Sequence, residues 1–127
     1  MGGAVQKNFV EYQGKTFYYI AENDEKAAGN LALGRSRDDD RPNAGEIYGI
    51  YLLPECWGQG FGKKFMDFGV NKLRETGFTD IILWVLEDNA RARKFYERYG
   101  FAVDGTRKEI TIGKPLWEVR YALRIAE

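Results

Sequence analysis

The chain has 127 residues, 44% hydrophobic and 30% charged, with 19 basic and 19 acidic side chains that cancel. This is the balance of a single globular domain over 1–127 with a core of its own, and a zero net charge argues against nucleic acid as a partner. The absence of histidine removes Ser–His and Cys–His nucleophiles and the commonest zinc sites, so no metal is expected, while the single Cys56 excludes an internal disulfide and fits a reducing, cytoplasmic setting.

In chain order, residues 5–12 leave room for only a short helix end. Phe17 to Glu22, rich in aromatic and β-branched residues, predicts a strand. Asn23-Asp24-Glu25-Lys26 supplies turn chemistry, and Ala28 to Gly34 is the hairpin partner. Arg35 to Ala44 is a polar loop whose Asp38-Asp39-Asp40 run reads either as solvated charge or as an attractor for a cationic amine such as a polyamine. Glu46 to Leu53 is a third strand, stopped by Pro54. Phe61, Phe65, Gly69 and Leu73, with Met66 and Val70, then share one helical face up to about Thr76, and Gly77 ends the helix. Asp80 to Leu86 predicts a short buried strand. Asp88 or Asn89 caps a helix carrying Ala92, Phe95, Tyr96 and Tyr99 at i, i+3, i+4, i+7, closed by Gly100. Phe101 to Ile112 and Leu116 to Ile125 are two final strands joined near Gly113-Lys114-Pro115. The order β-β-β-α-β-α-β-β predicts one mixed α+β domain, a sheet with helices packed on it. No apolar run reaches membrane-spanning length and no signal-peptide core is present, so no membrane association is expected.

The stretch Pro54-Glu55-Cys56-Trp57-Gly58-Gln59-Gly60-Phe61-Gly62-Lys63-Lys64 carries the chemistry. A strand, a glycine-rich turn and a helix start form a cradle for phosphate, because glycine lets the backbone approach a ligand and first-turn N–H groups lack helical partners. A Walker A loop needs Ser or Thr after the lysine, which is missing here. A dinucleotide fingerprint needs different glycine spacing at the first strand of a parallel unit. A pyrophosphate turn of an acetyl-CoA-dependent enzyme and a plain strand–helix connection both remain open on the turn alone. Lys63 and Lys64 lie in the first helical turn, where positive charge opposes the helix dipole unless an anion sits there. Farther on, Asn89 and Tyr96 are seven residues apart, on one face of the second helix.

Together these residues resemble the GCN5-related N-acetyltransferase (GNAT) superfamily, from about Phe17 to Ile125 and most strongly from Glu46 to Phe101. The family pattern is Arg or Gln, two residues, Gly, one residue, then Gly or Ala. Gly60 and Gly62 fill the glycine positions, and Trp57 stands where Arg or Gln would be. The later Asn, Tyr and Gly-Phe of the family are matched by Asn89, Tyr96 and Gly100-Phe101.

The resemblance implies a three-layer, α/β/α-like fold with a mixed, mostly antiparallel sheet and a splayed parallel strand pair at the cofactor site. It implies acetyl-CoA as the cofactor. Trp57, Gly58, Gln59, Gly60, Phe61, Gly62 and Lys63 would hold the pyrophosphate of coenzyme A, largely through backbone N–H groups. The strand edge at Ile50, Tyr51 and Leu52 would pair with the pantetheine arm, with Asn89 where the strands part. The implied chemistry is direct attack of a primary amine on the thioester, with Tyr96 as general acid and the amide near Leu52 as oxyanion donor. Tyr96 also reads as a core tyrosine. Glu46, at a position where several family members carry a catalytic glutamate, reads equally as a base or as a solvated strand-end carboxylate. Trp84 occupies the place where some N-terminal protein acetyltransferases carry their glutamate. Cys56 reads as structural. Arg91, Arg93 and Lys94 are candidates for the ribose 3′-phosphate or for a solvated helix face.

Family members begin with a strand and helices before the hairpin, and this chain reaches its hairpin by Phe17, so it is expected to lack them. An uncovered sheet face makes a homodimer the expectation. Two functions follow: an N-acetyltransferase acting on a small-molecule or peptide amine, or a non-catalytic acyl-CoA-binding module.

Overall fold

The computed structural model describes residues 3–12, 16–23, 26–58 and 60–125, with 3–12, 21–23 and 26 described by backbone alone. The elements are β1 (Gly3–Tyr12), β2 (Thr16–Asn23), β3 (Lys26–Arg35), β4 (Gly45–Leu52), a 3₁₀ turn (Pro54–Cys56), α1 (Phe61–Thr76), β5 (Asp80–Leu86), α2 (Ala90–Tyr99), β6 (Ala102–Ile112) and β7 (Lys114–Arg124). They form one seven-stranded sheet in the order β1-β2-β3-β4-β5-β7-β6. Every described pairing is antiparallel except β4 with β5.

The helix end expected over 5–12 is a strand instead: β1 pairs with β2 from Gly3↔Asn23 to Tyr12↔Thr16. The N-terminal strand expected to be missing is therefore present. Its register slips between Gln6 and Val10. That irregularity breaks the two-residue alternation by which a strand is recognised in sequence. Among the described residues no helix comes between β1 and β2.

Both helices lie on one face. Phe61, Phe65, Met66, Val70 and Leu73 of α1 join Leu31, Leu33, Ile47, Leu83, Val85, Val119 and Tyr121 in the core. Gly69 lets α1 sit close to β3, since a Cβ there would lie 3.1 Å from Leu31. α2 packs beside α1 through Phe95 against Gly62 and a hydrogen bond from the Tyr99 hydroxyl to Asp67. Gly77, in a left-handed conformation, ends α1, and its N–H bonds the Arg74 carbonyl at 3.0 Å.

By strand alternation Glu46, Ile82, Trp84, Arg120 and Ala122 face the other way. There the expected third layer is made, among the described residues, by the loop 36–44 rather than by helices. Arg120 is 3% exposed and ties the loop down: its guanidinium donates to Asp38 (3.0 Å), Asp40 (2.7 and 2.8 Å), Asp104 (2.6 Å) and Thr106 (3.1 Å). Asp38 also accepts from the Trp84 indole at 2.9 Å. The acidic run is thus neither simply solvated nor free for a polyamine, because two of its three carboxylates are spent on Arg120. No helix among the described residues is long and apolar enough to cross a membrane.

Candidate functional site

β4 and β5 hydrogen-bond only at Gly45↔Ile81, Glu46↔Ile82 and Ile47↔Leu83. Beyond Ile47 each keeps only its outer neighbour, β3 or β7, and the facing edges part. The parting begins at a bulge. Leu33 opposes Ile47 and Ala32 opposes Gly49, which leaves Tyr48 as the extra residue. Past the bulge, the Leu53 N–H donates to the Ala28 carbonyl on the β3 side at 2.8 Å. Alternation then turns the backbone polar groups of Leu52 and Ile50 toward the gap, with Tyr51 between them turned to β3. The Trp57 indole already uses the Leu52 carbonyl, at 2.9 Å, while the Leu52 N–H stays directed into the gap.

Where β4 ends, the chain makes its turn into α1. Gly58 (φ 77°) and Gly60 (φ 75°) both adopt left-handed conformations that strain any other residue. A Cβ on either would meet no atom within 4 Å, so the backbone is open to an approaching ligand. Gly62 serves packing: its Cβ would lie 3.1 Å from the Phe95 ring. Gln59 lies outside the described residues. Gly60 caps α1 without a side-chain bond, and the first turn of α1 holds no acid but contains Lys63 and Lys64. Lys63 is drawn to Asp67 at 3.1 Å. An uncapped helix start with two cations in its first turn is an unfavourable end that an anion would stabilise.

Asn89 is the N-cap of α2, as read from sequence, with its Oδ1 accepting the Ala92 N–H at 3.1 Å. Its position is where β5 leaves the sheet. Tyr96, two turns on, is 8% exposed and its ring meets Phe95, Phe101 and Tyr121 edge-on or tilted. The core reading is thus correct for the ring. Its hydroxyl makes no hydrogen bond to a described residue, and no enclosed side-chain polar atom there lacks a partner, so that oxygen reaches solvent. Burial pushes its pKa up to about 12, which keeps the phenol protonated at neutral pH.

Glu46 is 1% exposed, so the solvated strand-end reading fails. Its Oε1 accepts the Arg37 backbone N–H and its Oε2 the Arg37 guanidinium, both at 2.9 Å. Arg37, whose side chain is 64% exposed, also lies 4.2 Å above the Tyr48 ring. The Tyr48 hydroxyl in turn donates to the Arg35 carbonyl. Sequence patterns did not single out Arg37. Its link to Glu46 spans nine residues of an irregular loop, and no periodicity marks it.

The remaining candidates separate cleanly. Arg93 turns inward, donating to the Tyr121 hydroxyl (2.9 Å) and the Glu87 carbonyl (3.0 Å). Arg91 instead lies 3.9 Å over the Trp57 ring. Glu87 is occupied by Arg107 at 3.1 Å. Cys56 is buried in the core, as expected of a structural residue. Among the described residues no group of three or more His, Cys, Asp or Glu could hold a metal ion.

Residues 3–101 match the sequence model of the Acetyltransferase (GNAT) family, and the chain belongs to that family. It is 34% identical over 108 residues to the uncharacterized N-acetyltransferase YuaI of Bacillus subtilis, a match covering 76% of this chain and 61% of that protein. It is 41% identical over 64 residues to the mycothiol acetyltransferase of Geodermatophilus obscurus, over 50% of this chain and 21% of that protein. The chain therefore spans about a fifth to three fifths of the lengths of these relatives. A Bacillus subtilis acetyltransferase solved in complex with CoA superposes with a TM-score of 0.73 at 21% identity, over 90% of this chain and 80% of that one. At that identity the likeness is one of fold.

Proposed function

We propose that this domain transfers the acetyl group of acetyl-CoA to a primary amine of a small molecule or peptide, by direct attack of the amine on the thioester. The observation that carries the reading is the open edge of β4 from Ile50 to Leu52 running into a left-handed, uncapped turn at Gly58 and Gly60. A linear ligand with amides at one end and a pyrophosphate at the other fits that sequence of features. The edge takes the amides as a further strand, and the first turn of α1 takes the charge. The fold likeness to an acetyltransferase holding CoA supports the same ligand.

Bound acetyl-CoA supplies an activated carbonyl. The Leu52 N–H, directed into the gap, donates to the carbonyl oxygen as negative charge develops on it. The Tyr96 hydroxyl, protonated and reaching solvent, donates a proton to the departing sulfur. Glu46 accepts the proton of the amine, directly or through water, once Arg37 releases one of its oxygens. That last requirement also favours a second reading, a non-catalytic acyl-CoA-binding module, in which Glu46 and Arg37 stay paired. A thiol-release assay over a panel of primary amines separates the two. Turnover with any amine above the hydrolytic background supports the transferase, and acetyl-CoA binding with no turnover across the panel supports the module.

A further inference from the structure

We propose that the Arg37–Glu46 pair selects an acceptor whose amine carries a carboxylate close by, the pattern of a free α-amino acid; this rests on the transferase reading above and names the acceptor class within it. Glu46 is 1% exposed, and one residue of the loop 36–44 holds both of its oxygens. The Arg37 backbone N–H bonds Oε1 and the guanidinium bonds Oε2, each at 2.9 Å. The guanidinium is the outer half of the pair. Its side chain is 64% exposed and lies 4.2 Å from the centroid of the Tyr48 ring. Only Nη2 is bonded, so its other N–H groups have no partner among the described residues. Stacking on the ring holds the guanidinium plane and leaves that edge open. Tyr48 is also the bulge residue where β4 begins to leave β5, which puts the pair at the mouth of the parted strands.

An exposed cation on a buried anion is complementary to a ligand that carries the opposite pair. A neutral amine brings nothing to offset the loss of the guanidinium from a buried carboxylate. A polyamine would leave its ammonium beside the displaced guanidinium, and Asp38 and Asp40 of the same loop are bound by Arg120 and not available for its far end. An amino acid meets both halves at once. Its carboxylate accepts two parallel N–H donations from the open edge of Arg37, and its ammonium takes the place vacated at Oε2 of Glu46. One ion pair becomes two, and the amine is delivered to the group that takes its proton. The product is an N-acetyl amino acid: the C–N bond forms and the C–S bond breaks. Of the two protons that the ammonium loses, one ends on the sulfur and one leaves through Glu46.

A thiol-release assay with acetyl-CoA compares free L-α-amino acids, their α-amides and the matching decarboxylated amines, on the unchanged protein, Arg37→Ala and Arg37→Lys. The best acid should exceed its own amide and amine by roughly 10- to 100-fold in kcat/KM. The amide carries the more readily deprotonated amine, so amine reactivity alone would favour the amide. Arg37→Ala should raise KM for the acid and erase its lead while the amide keeps its kcat/KM, and Arg37→Lys should restore part of the lead. A loss shared equally by acid and amide in Arg37→Ala overturns the proposal, as does an unchanged protein that uses the amide or amine as well as the acid. Calorimetry of the same ligands with coenzyme A present separates this proposal from the reading beneath it. Acid-selective binding that Arg37→Ala abolishes, without turnover, supports the selection and removes the transferase. Turnover without acid preference does the reverse, and neither binding nor turnover overturns both.

Discussion

Tyr96 shows how one side chain serves two ends. Its ring belongs to the core, meeting Phe101 and Tyr121, while its hydroxyl reaches solvent and burial holds it protonated. In the sequence Tyr96 reads as a core tyrosine by its helical spacing and as a general acid only through the family resemblance; the buried ring bears out the first, and the solvent-reaching hydroxyl is compatible with the second. Tyr96→Phe keeps the ring and removes the proton. It should lower kcat by roughly a hundredfold or more while leaving coenzyme A affinity and thermal stability unchanged. An unchanged kcat in a working assay would remove Tyr96 from the chemistry. Glu46 was equally legible as a position, yet its state was not. Burial and two contacts from Arg37 come from a loop whose course no local pattern encodes. The two roles of Glu46 diverge in Glu46→Gln: as a base it should lose turnover with coenzyme A binding intact, whereas a purely structural partner of Arg37 should lose stability.

At the level of elements, the parted pair depends on β4 keeping its place against β3. Gly29 is the tightest point of that seam, since a Cβ there would lie 2.1 Å from the Tyr51 carbonyl oxygen. Gly29→Ala must therefore push the end of β4 away. It should destabilise the fold by about 2 kcal/mol in denaturant melts and weaken coenzyme A binding as well, because the displaced residues are those of the open edge. A variant as stable and as tight-binding as the parent would show that the seam is softer than this geometry implies. The elements that could be read from sequence share a cause. α1 and α2 have clean helical periodicity and glycine stops, and β5 is a compact apolar run. β1 was hidden because its register slip between Gln6 and Val10 scrambles the alternation. The clamp of the loop 36–44 was hidden because Arg120 lies 82 residues from Asp38.

For the whole molecule, Arg120 joins the loop 36–44 to β6 and β7 across the sheet face opposite α1 and α2. Arg120→Met leaves part-buried Asp38 without its Arg120 partner and Asp104 with only Arg41, at 3.5 Å, and should cost about 3 kcal/mol of stability, with earlier proteolysis in the loop. Equal stability would mean that solvent already screens the cluster. Alkali should act on the molecule through its tyrosines. Burial raises the pKa values of Tyr19, Tyr48, Tyr96 and Tyr121 in the folded state. A raised folded pKa gives stability that is whole below about pH 10, the unfolded value, and is lost as pH climbs toward the folded values. Thermal melts should be level up to about pH 10 and fall above it, and Tyr96→Phe should soften that fall, its own folded pKa being about 12. The central claim, that the parted strands and the Gly58–Gly60 turn form a coenzyme A site, is tested most directly by titrating coenzyme A into the protein in a calorimeter. One site per chain with a Kd in the micromolar range is predicted, and no heat of binding at about millimolar coenzyme A would contradict it.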